Sequence, residues 1–517
     1  MPLLVTPAAE AFKRLRQKDS RWPRTAEAQA ERLMPLAQPR FWPSFKINRS
    51  ELVFTVGSCF ARNIEKQLAA EGYNVAASHF RLPADVGLKA DPDAALNRYV
   101  VTCIANELKW GFRHGTPFKT KALVHMGGDS WYDPHMHPLV AAAPLEKVLE
   151  RRQAVNDYMA LARQARVFIM TLGMAEAWFD TNSGHYLNGV PPTPARELHP
   201  GRFEFHLLDY AQILEGLESI HALLRTYGPP DFRMLVTVSP VAMNTTFTGG
   251  DVLTANTYSK AVQRAAVEAF VRGHDNVDYF PSYESVVLSD RKRAWRDDQA
   301  HASDEIVRLN VLRMIEAYAE SDEAPEEASA ARAAHAFSLV QTAREAAGLD
   351  APDEAVAAYR AAVEAAPGEG LILLEFGRFL YEQRAYEEAA GMVEASTRHG
   401  SGAYGGYYYL SQIYYAGKRM EDAYFAAAKA RELQPTRPGV IDISANIARK
   451  LGRLQEAVEL SKLHLKLEPK SEASRQRLEA LLAQAKAARL GGSGPEAIKA
   501  LLTAGPAAIR RKRAGRV

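Results

Sequence analysis

Two short stretches of this chain carry side chains able to perform nucleophilic chemistry. Gly57-Ser58-Cys59 offers a hydroxyl and a thiol side by side. Asp298-Gln299-Ala300-His301 places a carboxylate three residues before an imidazole. On a loop, that spacing lets the carboxylate accept from the His Nδ1–H and fix the tautomer, so that Nε2 can take a proton from a thiol or hydroxyl. Together they supply a nucleophile, a general base and a group that orients the base, the parts needed for acyl transfer. Such a reaction also needs donors for the developing oxyanion, and a helix N-terminus provides them as backbone N–H groups.

The elements around these residues suit that task. Leu52 to Val56 read as a short buried strand, and Gly57 permits a sharp turn. Phe60, Ile64, Leu68 and Ala69 recur at helical spacing, so Ser58 and Cys59 sit on a strand–turn–helix junction. The helix is expected to end near Gly72, with Tyr73–Val75 beginning another strand. Leu96 to Trp110 has helical spacing, with Asn97 and Arg98 near its start and able to face the site. A helix over Leu145–Ala165 is followed by the near-continuous apolar run Arg166–Leu172, as expected of a central parallel strand covered on both faces. Helices around 207–224 and 257–271 alternate with strands at 234–239 and 277–280, which predicts a three-layer, doubly wound α/β domain. Ligands bind beyond the carboxyl ends of such strands, where Gly57, Gly173 and Ser239 fall. Trp295–His301 precedes a helix capped by Ser303, with Ile306, Leu309 and Met314 on its apolar face.

Between these units, Asp133, His135 and His137 lie in a segment rich in turn residues. Without a defined third and fourth ligand they read not as a metal site but as a plain surface loop or as a loop in which His135 faces substrate. The chain has 517 residues, enough for two or more domains. Its net charge of +3 points to neither nucleic acid nor an anionic membrane as partner. Two cysteines, Cys59 and Cys103, are too few for a disulfide framework and fit a cytoplasmic protein. The first residues lack a signal-peptide layout, and no stretch is long and apolar enough for a transmembrane helix. No metal or redox cofactor is needed for the chemistry above.

Gly57-Ser-Cys-Phe-Ala61 resembles the signature of the GSCFA family, which is related to the SGNH (GDSL-like) esterases. Thr171–Trp178, Val238–Val241, Asn256–Lys260 and Tyr279–Glu284 are also similar to that family, in the expected order, from about Phe41 to Ala319. The resemblance implies an SGNH-like fold with a flavodoxin-like parallel sheet. It further implies an esterase or O-acyltransferase acting on an acylated small molecule, carbohydrate or glycan precursor, with Asp298 and His301 in the superfamily's catalytic positions. Related esterases read Gly-Asp-Ser. Laying glycine on glycine makes Cys59 the nucleophile, and a shift of one residue makes it Ser58. The superfamily's Gly-x-Asn-Asp block, laid on Gly173–Glu176, gives the Gly173 N–H as an oxyanion donor beside the Cys59 N–H. It leaves Ala175 where an amide is expected, so the amide would come from Asn97, Asn106, Asn244 or Asn256. Glu176 and Trp178 would contact a polar, sugar-like substrate. The competing implication is a degenerate hydrolase domain that only binds its ligand.

An N-terminal arm, residues 1–45, is expected to pack on the domain of residues 46–320 through aromatics such as Trp22 and Trp42. An acidic linker spans 321–333. Beyond it Glu354-Ala355, Glu388-Ala389, Asp422-Ala423 and Glu456-Ala457 recur at 34 residues. Pro367, Ser401, Pro435 and Pro469 share that lattice. The pattern resembles tetratricopeptide repeats, about three to four over 334–485 with a capping helix. Such an all-α solenoid implies a protein partner, and tyrosines Tyr381, Tyr404, Tyr407–Tyr409, Tyr414 and Tyr415 could enrich its binding face. A basic tail, 486–517, ends the chain.

Overall fold

In the computed structural model Val53–Gly57 forms strand β1, which leads through Ser58 into a helix over Cys59–Ala70. Described are residues 2–15, 18–23, 32–80, 95–115, 118–138, 140–319, 329–399, 403–469 and 471–489. Most of the acidic linker and the basic end from 490 onward lie outside them. The remaining strands are β2 (Val124–His125), β3 (Trp131–Tyr132), β4 (Val167–Leu172), β5 (Glu176–Asp180), β6 (His185–Tyr186), β7 (Phe203–Leu207), β8 (Arg233–Val238) and β9 (Val277–Tyr279). The chain divides into two compact units, Met1–Ala334 and His335–Val517.

The first unit is a three-layer α/β fold around a four-stranded sheet ordered β1–β4–β8–β9, with all neighbours parallel. All six residues of β4 are buried, because a strand between two parallel neighbours and two helical layers has no face toward water. The helices Val101–Gly111, Tyr210–Tyr227 and Val252–Gly273 pack on one another in sequence, and Cys59–Ala70 packs on Asp304–Tyr318. The strand expected at Tyr73–Val75 reduces to one parallel bridge, Val75 to Val53, before a 3-10 turn. Helix Val101–Gly111 starts later than its apolar spacing suggests, which leaves Asn97–Val100 extended beside the sheet's carboxyl edge. An antiparallel meander ordered β6–β5–β7 is inserted between β4 and β8, and the periodicity of the sequence did not announce it. Trp22 and Trp42 are exposed. Phe41 and Phe45 do the packing instead, against Tyr318 and Phe280, because they lie where the arm crosses the last helix.

The second unit is a tetratricopeptide-type array. Its second helices begin at Pro352, Tyr386, Met420 and Leu454, and so step by 34 residues. Each acidic–Ala pair sits in the first turn of such a helix, and Ala355, Ala389, Ala423 and Ala457 are fully buried at the helix crossings. A larger side chain there would force the helices apart. The lattice extends to the turns, where Asp350, Arg384, Lys418 and Gly452 all adopt positive φ. Only the last is a glycine, so the others carry the left-handed strain of an L residue. Lys418 is exposed at φ 62°, and Lys418→Gly is expected to raise the unfolding free energy of this unit by about 0.5–1 kcal/mol, read by denaturant melting. Helix Glu472–Arg489 ends the described array. Tyr414 is a core residue bonded to Glu394, while Tyr404 and Tyr408 stack half-buried and Arg378 lies over Tyr409.

Candidate active site

The junction after β1 is held by an unusually close approach of two strands. Gly57 has φ +143°, and a Cβ on it would lie 2.2 Å from Thr171 Oγ1 and 2.3 Å from the Thr171 carbonyl oxygen. Only glycine lets the turn pass there. The Gly57 carbonyl accepts from the Arg98 N–H at 2.7 Å, and the Ser58 N–H donates to Thr171 Oγ1 at 3.2 Å. Ser58 is the N-cap of the following helix. Its Oγ accepts from the Phe60 N–H and donates to Ser239 Oγ, both at 3.3 Å. Cys59 is the first helical residue, so its own N–H has no partner within the helix. Its thiol is half-buried. Burial pushes it up from the ordinary thiol value, and the amides of Phe60 and Cys59 and the charges of Arg296 and Lys260 pull it back.

The loop before helix Asp304–Tyr318 carries Asp298 and His301. Asp298 Oδ2 lies 2.7 Å from His301 Nδ1, while Asp298 Oδ1 accepts from the N–H groups of His301 and Ala300 at 3.0 Å each. These bonds, the His301 amide foremost, hold the Asp298 carboxyl well below the usual carboxylate range. The carboxylate is therefore charged at any pH above that range, and it can be protonated only as pH falls beneath it. The carboxylate occupies Nδ1, so Nε2 is left as the reactive nitrogen.

Ser58, Cys59 and His301 open onto one cavity of about 400 Å³ at the carboxyl edge of the sheet. Gly173, Glu176 and Trp178 also line it. Its walls are largely apolar, formed by residues such as Met174, Val190, Val241, Met243 and Phe247, and Trp178 meets Phe247 edge to face. The Ala242 N–H bonds the Ala300 carbonyl at 3.1 Å and so joins the loop after β8 to the His301 loop.

Several sequence-based assignments change. Gly173 lines the cavity, but its N–H is taken up by the Tyr99 carbonyl at 3.2 Å and is not free for an oxyanion. Asn97 is buried outside the lining, and its side chain engages Tyr99. His135 is wholly buried against Trp110 and His185, so it faces no substrate; burial pulls its imidazole down to about 4 and keeps it neutral. Glu176 is a cavity residue whose carboxylate is engaged by the protein: it accepts from the Thr246 hydroxyl at 2.5 Å and the Phe247 N–H at 3.0 Å, which ties the 246–248 loop to β5. No group of three metal-ligating side chains occurs among the described residues.

Sequence reasoning missed Asn188. It is fully buried in the cavity lining, where its Oδ1 accepts from the Tyr99 N–H at 3.2 Å and its Nδ2 donates to the Asn97 carbonyl at 2.8 Å. An amide nitrogen carries two hydrogens, and the Asn97 carbonyl takes one of them. Asn188-Gly189 reads in sequence as an ordinary turn dipeptide, which hid it. Ser239 was placed only at a strand end; its Oγ is the partner that holds Ser58 in its capping position.

The GSCFA family model matches residues 52–313 of this chain. Among solved structures, the chain is similar to the MamA protein at 16% identity, with 32% of this chain and 86% of that chain covered and a TM-score of 0.29. YrrB, described as a tetratricopeptide protein with an unusual peptide-binding site, matches at 16% identity over 34% of this chain and 92% of its own, with a TM-score of 0.28. The C-terminal part of a tetratricopeptide repeat-containing protein from Cytophaga hutchinsonii matches at 15% identity over 40% and 81%, with a TM-score of 0.27. None of these similarities bears on function. No curated protein matches the chain.

Proposed function

This chain belongs to the GSCFA family, and from that premise and the geometry of the cavity we propose that its first unit is an acyl-transfer enzyme, an esterase or O-acyltransferase, with Cys59 as nucleophile. The observation that carries this reading is the shared cavity of Cys59 and a His301 whose Nδ1 is held by Asp298. His301 Nε2 takes the thiol proton as Cys59 Sγ bonds to the acyl carbon. The carbonyl π electrons move onto oxygen, where the Cys59 N–H and the second Asn188 Nδ2 hydrogen can receive them. On collapse the C–O bond to the leaving alcohol breaks, and His301 returns the proton to that oxygen. Water or an acceptor hydroxyl, deprotonated by His301, then attacks the thioester and releases the thiol.

Ser58 is the less suitable nucleophile because its hydroxyl is committed to the helix cap and to Ser239. The apolar walls fit an acyl chain, and Trp178 offers a ring face of the kind on which a sugar can stack. An acylated carbohydrate or glycan precursor is accordingly the proposed substrate class. The experiment is turnover of an activated acetyl ester by the full chain, with and without saccharide acceptors. Asp298→Asn is expected to lower the rate by about 10²–10⁴-fold, since the tautomer of His301 is no longer fixed; an unchanged rate removes the dyad from the mechanism.

A second reading, ligand binding without turnover, is favoured by one observation. With the Gly173 N–H engaged by Tyr99, the site has one oxyanion donor fewer than the resemblance implies, a deficit of about 3 kcal/mol in a hydrolase. Absence of turnover with every donor and acceptor tried would select it. The repeat unit is assigned the recruitment of a protein partner. A chain lacking the repeats that keeps every partner of the full chain would remove that assignment. No described helix is long and apolar enough to cross a membrane.

A further inference from the structure

Phe247, in the loop between β8 and helix Val252–Gly273, is 43% exposed and also lines the cavity. A lone exposed aromatic needs no explanation on most surfaces. This one is held in place. Its ring centroid lies 5.1 Å from that of Trp178, edge to face, and 5.9 Å from that of Phe205. Trp178 and Phe205 are a cross-strand pair of β5 and β7, so the Phe247 ring rests on the meander. Its backbone N–H donates to Glu176 Oε2 at 3.0 Å, and the Thr246 hydroxyl donates to Glu176 Oε1 at 2.5 Å. The two ends of the loop are fixed as well. Asn256 Oδ1 accepts from the Met243 N–H at 3.2 Å, and Asp251 Oδ1 accepts from the Leu253 and Thr254 N–H groups.

Glu176 is the costly part of this arrangement. It is 7% exposed, and no cationic side chain pairs with it among the described residues. Burying a carboxylate without a cation is unfavourable, and here its two oxygens serve to place residues 246 and 247. The cavity they border has about 400 Å³, a volume suited to a ligand much larger than an acetyl group. Among the described residues its lining holds no lysine or arginine and one carboxylate, that of Glu176. An anionic group inside would lose its water without gaining a countercharge. An aliphatic chain would instead bury apolar surface against walls already in position.

We propose that the cavity is a pocket for an uncharged aliphatic acyl group longer than acetyl, with Phe247 as its specificity-determining wall and Glu176 as the positioning residue that holds Phe247. Naming the occupant an acyl group rests on the acyl-transfer reading; the affinity for a chain does not. Each methylene buried on such a wall is worth about fourfold in affinity.

The test labels Cys59 in the full chain with N-ethylmaleimide and N-hexylmaleimide, which have equal intrinsic reactivity, and follows both thiols by peptide mass spectrometry. Buried Cys103 reports any general opening of the fold. The hexyl reagent is expected to label Cys59 about 100-fold faster than the ethyl reagent. Phe247→Ala is expected to cut that ratio about tenfold. Glu176→Gln should lower it too, because the Gln side chain sets an NH₂ group against one of the two donors. Truncating so exposed a ring leaves the core intact, so Phe247→Ala decides the matter if Glu176→Gln does not fold. Equal rates for the two reagents, labelling of Cys59 by neither, or a ratio that Phe247→Ala leaves unchanged overturns the proposal. A ratio changed by Phe247→Ala and not by Glu176→Gln defeats the positioning role of Glu176. Turnover is then compared for nitrophenyl acetate, hexanoate and adipate, the last carrying a carboxylate at the end of a chain of equal length. The hexanoyl ester is expected to have the highest kcat/KM, and a preference for the adipoyl ester overturns the uncharged pocket. A labelling preference in a protein that turns over no ester upholds the pocket and defeats the acyl-transfer reading, whereas turnover with equal labelling rates defeats the pocket alone.

Discussion

Cys59→Ala is expected to abolish the transient acetyl adduct that the full chain forms with an activated acetyl ester, as read by intact-protein mass spectrometry after brief mixing. Cys59 lines the cavity at a helix N-terminus with its thiol half-buried, and its own N–H lies free of intrahelical bonding. His301→Ala should slow acylation by about 10²–10⁴-fold, because burial raises the thiol above its ordinary value and a base is then needed to ionise it. Ser58→Ala should keep the adduct, since the Ser58 hydroxyl serves the cap and Ser239. The reverse pattern, an adduct lost in Ser58→Ala and retained in Cys59→Ala, would move the nucleophile to the serine. No adduct in the wild type with any activated donor would leave the binding reading in place.

Gly57→Ala is expected to destabilise the first unit by about 3 kcal/mol or more in denaturant unfolding, the combined effect of a strained backbone at positive φ and overlap with a neighbouring strand. The added Cβ would meet both the hydroxyl and the carbonyl oxygen of Thr171. Neither can yield: the carbonyl belongs to the middle of the sheet, and the hydroxyl accepts from the Ser58 N–H. Ser58→Ala, one residue along, should cost only about 1 kcal/mol, the value of a helix cap. Equal and small effects of the two substitutions would show that β1 can move away from β4, and that the junction is not rigidly placed.

Much of this site could be read from the sequence wherever its geometry is local. Asp298 and His301 meet because three residues of loop bring a carboxylate to its neighbour's Nδ1. Ser58 caps a helix because a small hydroxyl precedes an apolar run of helical period. The 34-residue lattice reappears as helix starts, buried alanines and left-handed turn residues, since each repeat repeats the same short-range packing.

What the sequence determined by itself is thus the set of parts: the strand–turn–helix junction, the Asp-x-x-His loop, the parallel β4 and the tetratricopeptide period. These depend on neighbours a few residues apart, whose relative geometry the backbone dictates. Tertiary structure alone decided which amides are free. The Gly173 N–H is closed by Tyr99 and Asn188 enters the lining, because the extended segment at 97–99 threads between the end of β4 and the meander. It also decided that His135 is buried under Trp110 and that Lys260 lies beneath Gly173. Each of these contacts joins residues at least 25 positions apart. No local spacing encodes such meetings, which arise only when the layers pack and every buried polar group must find a partner.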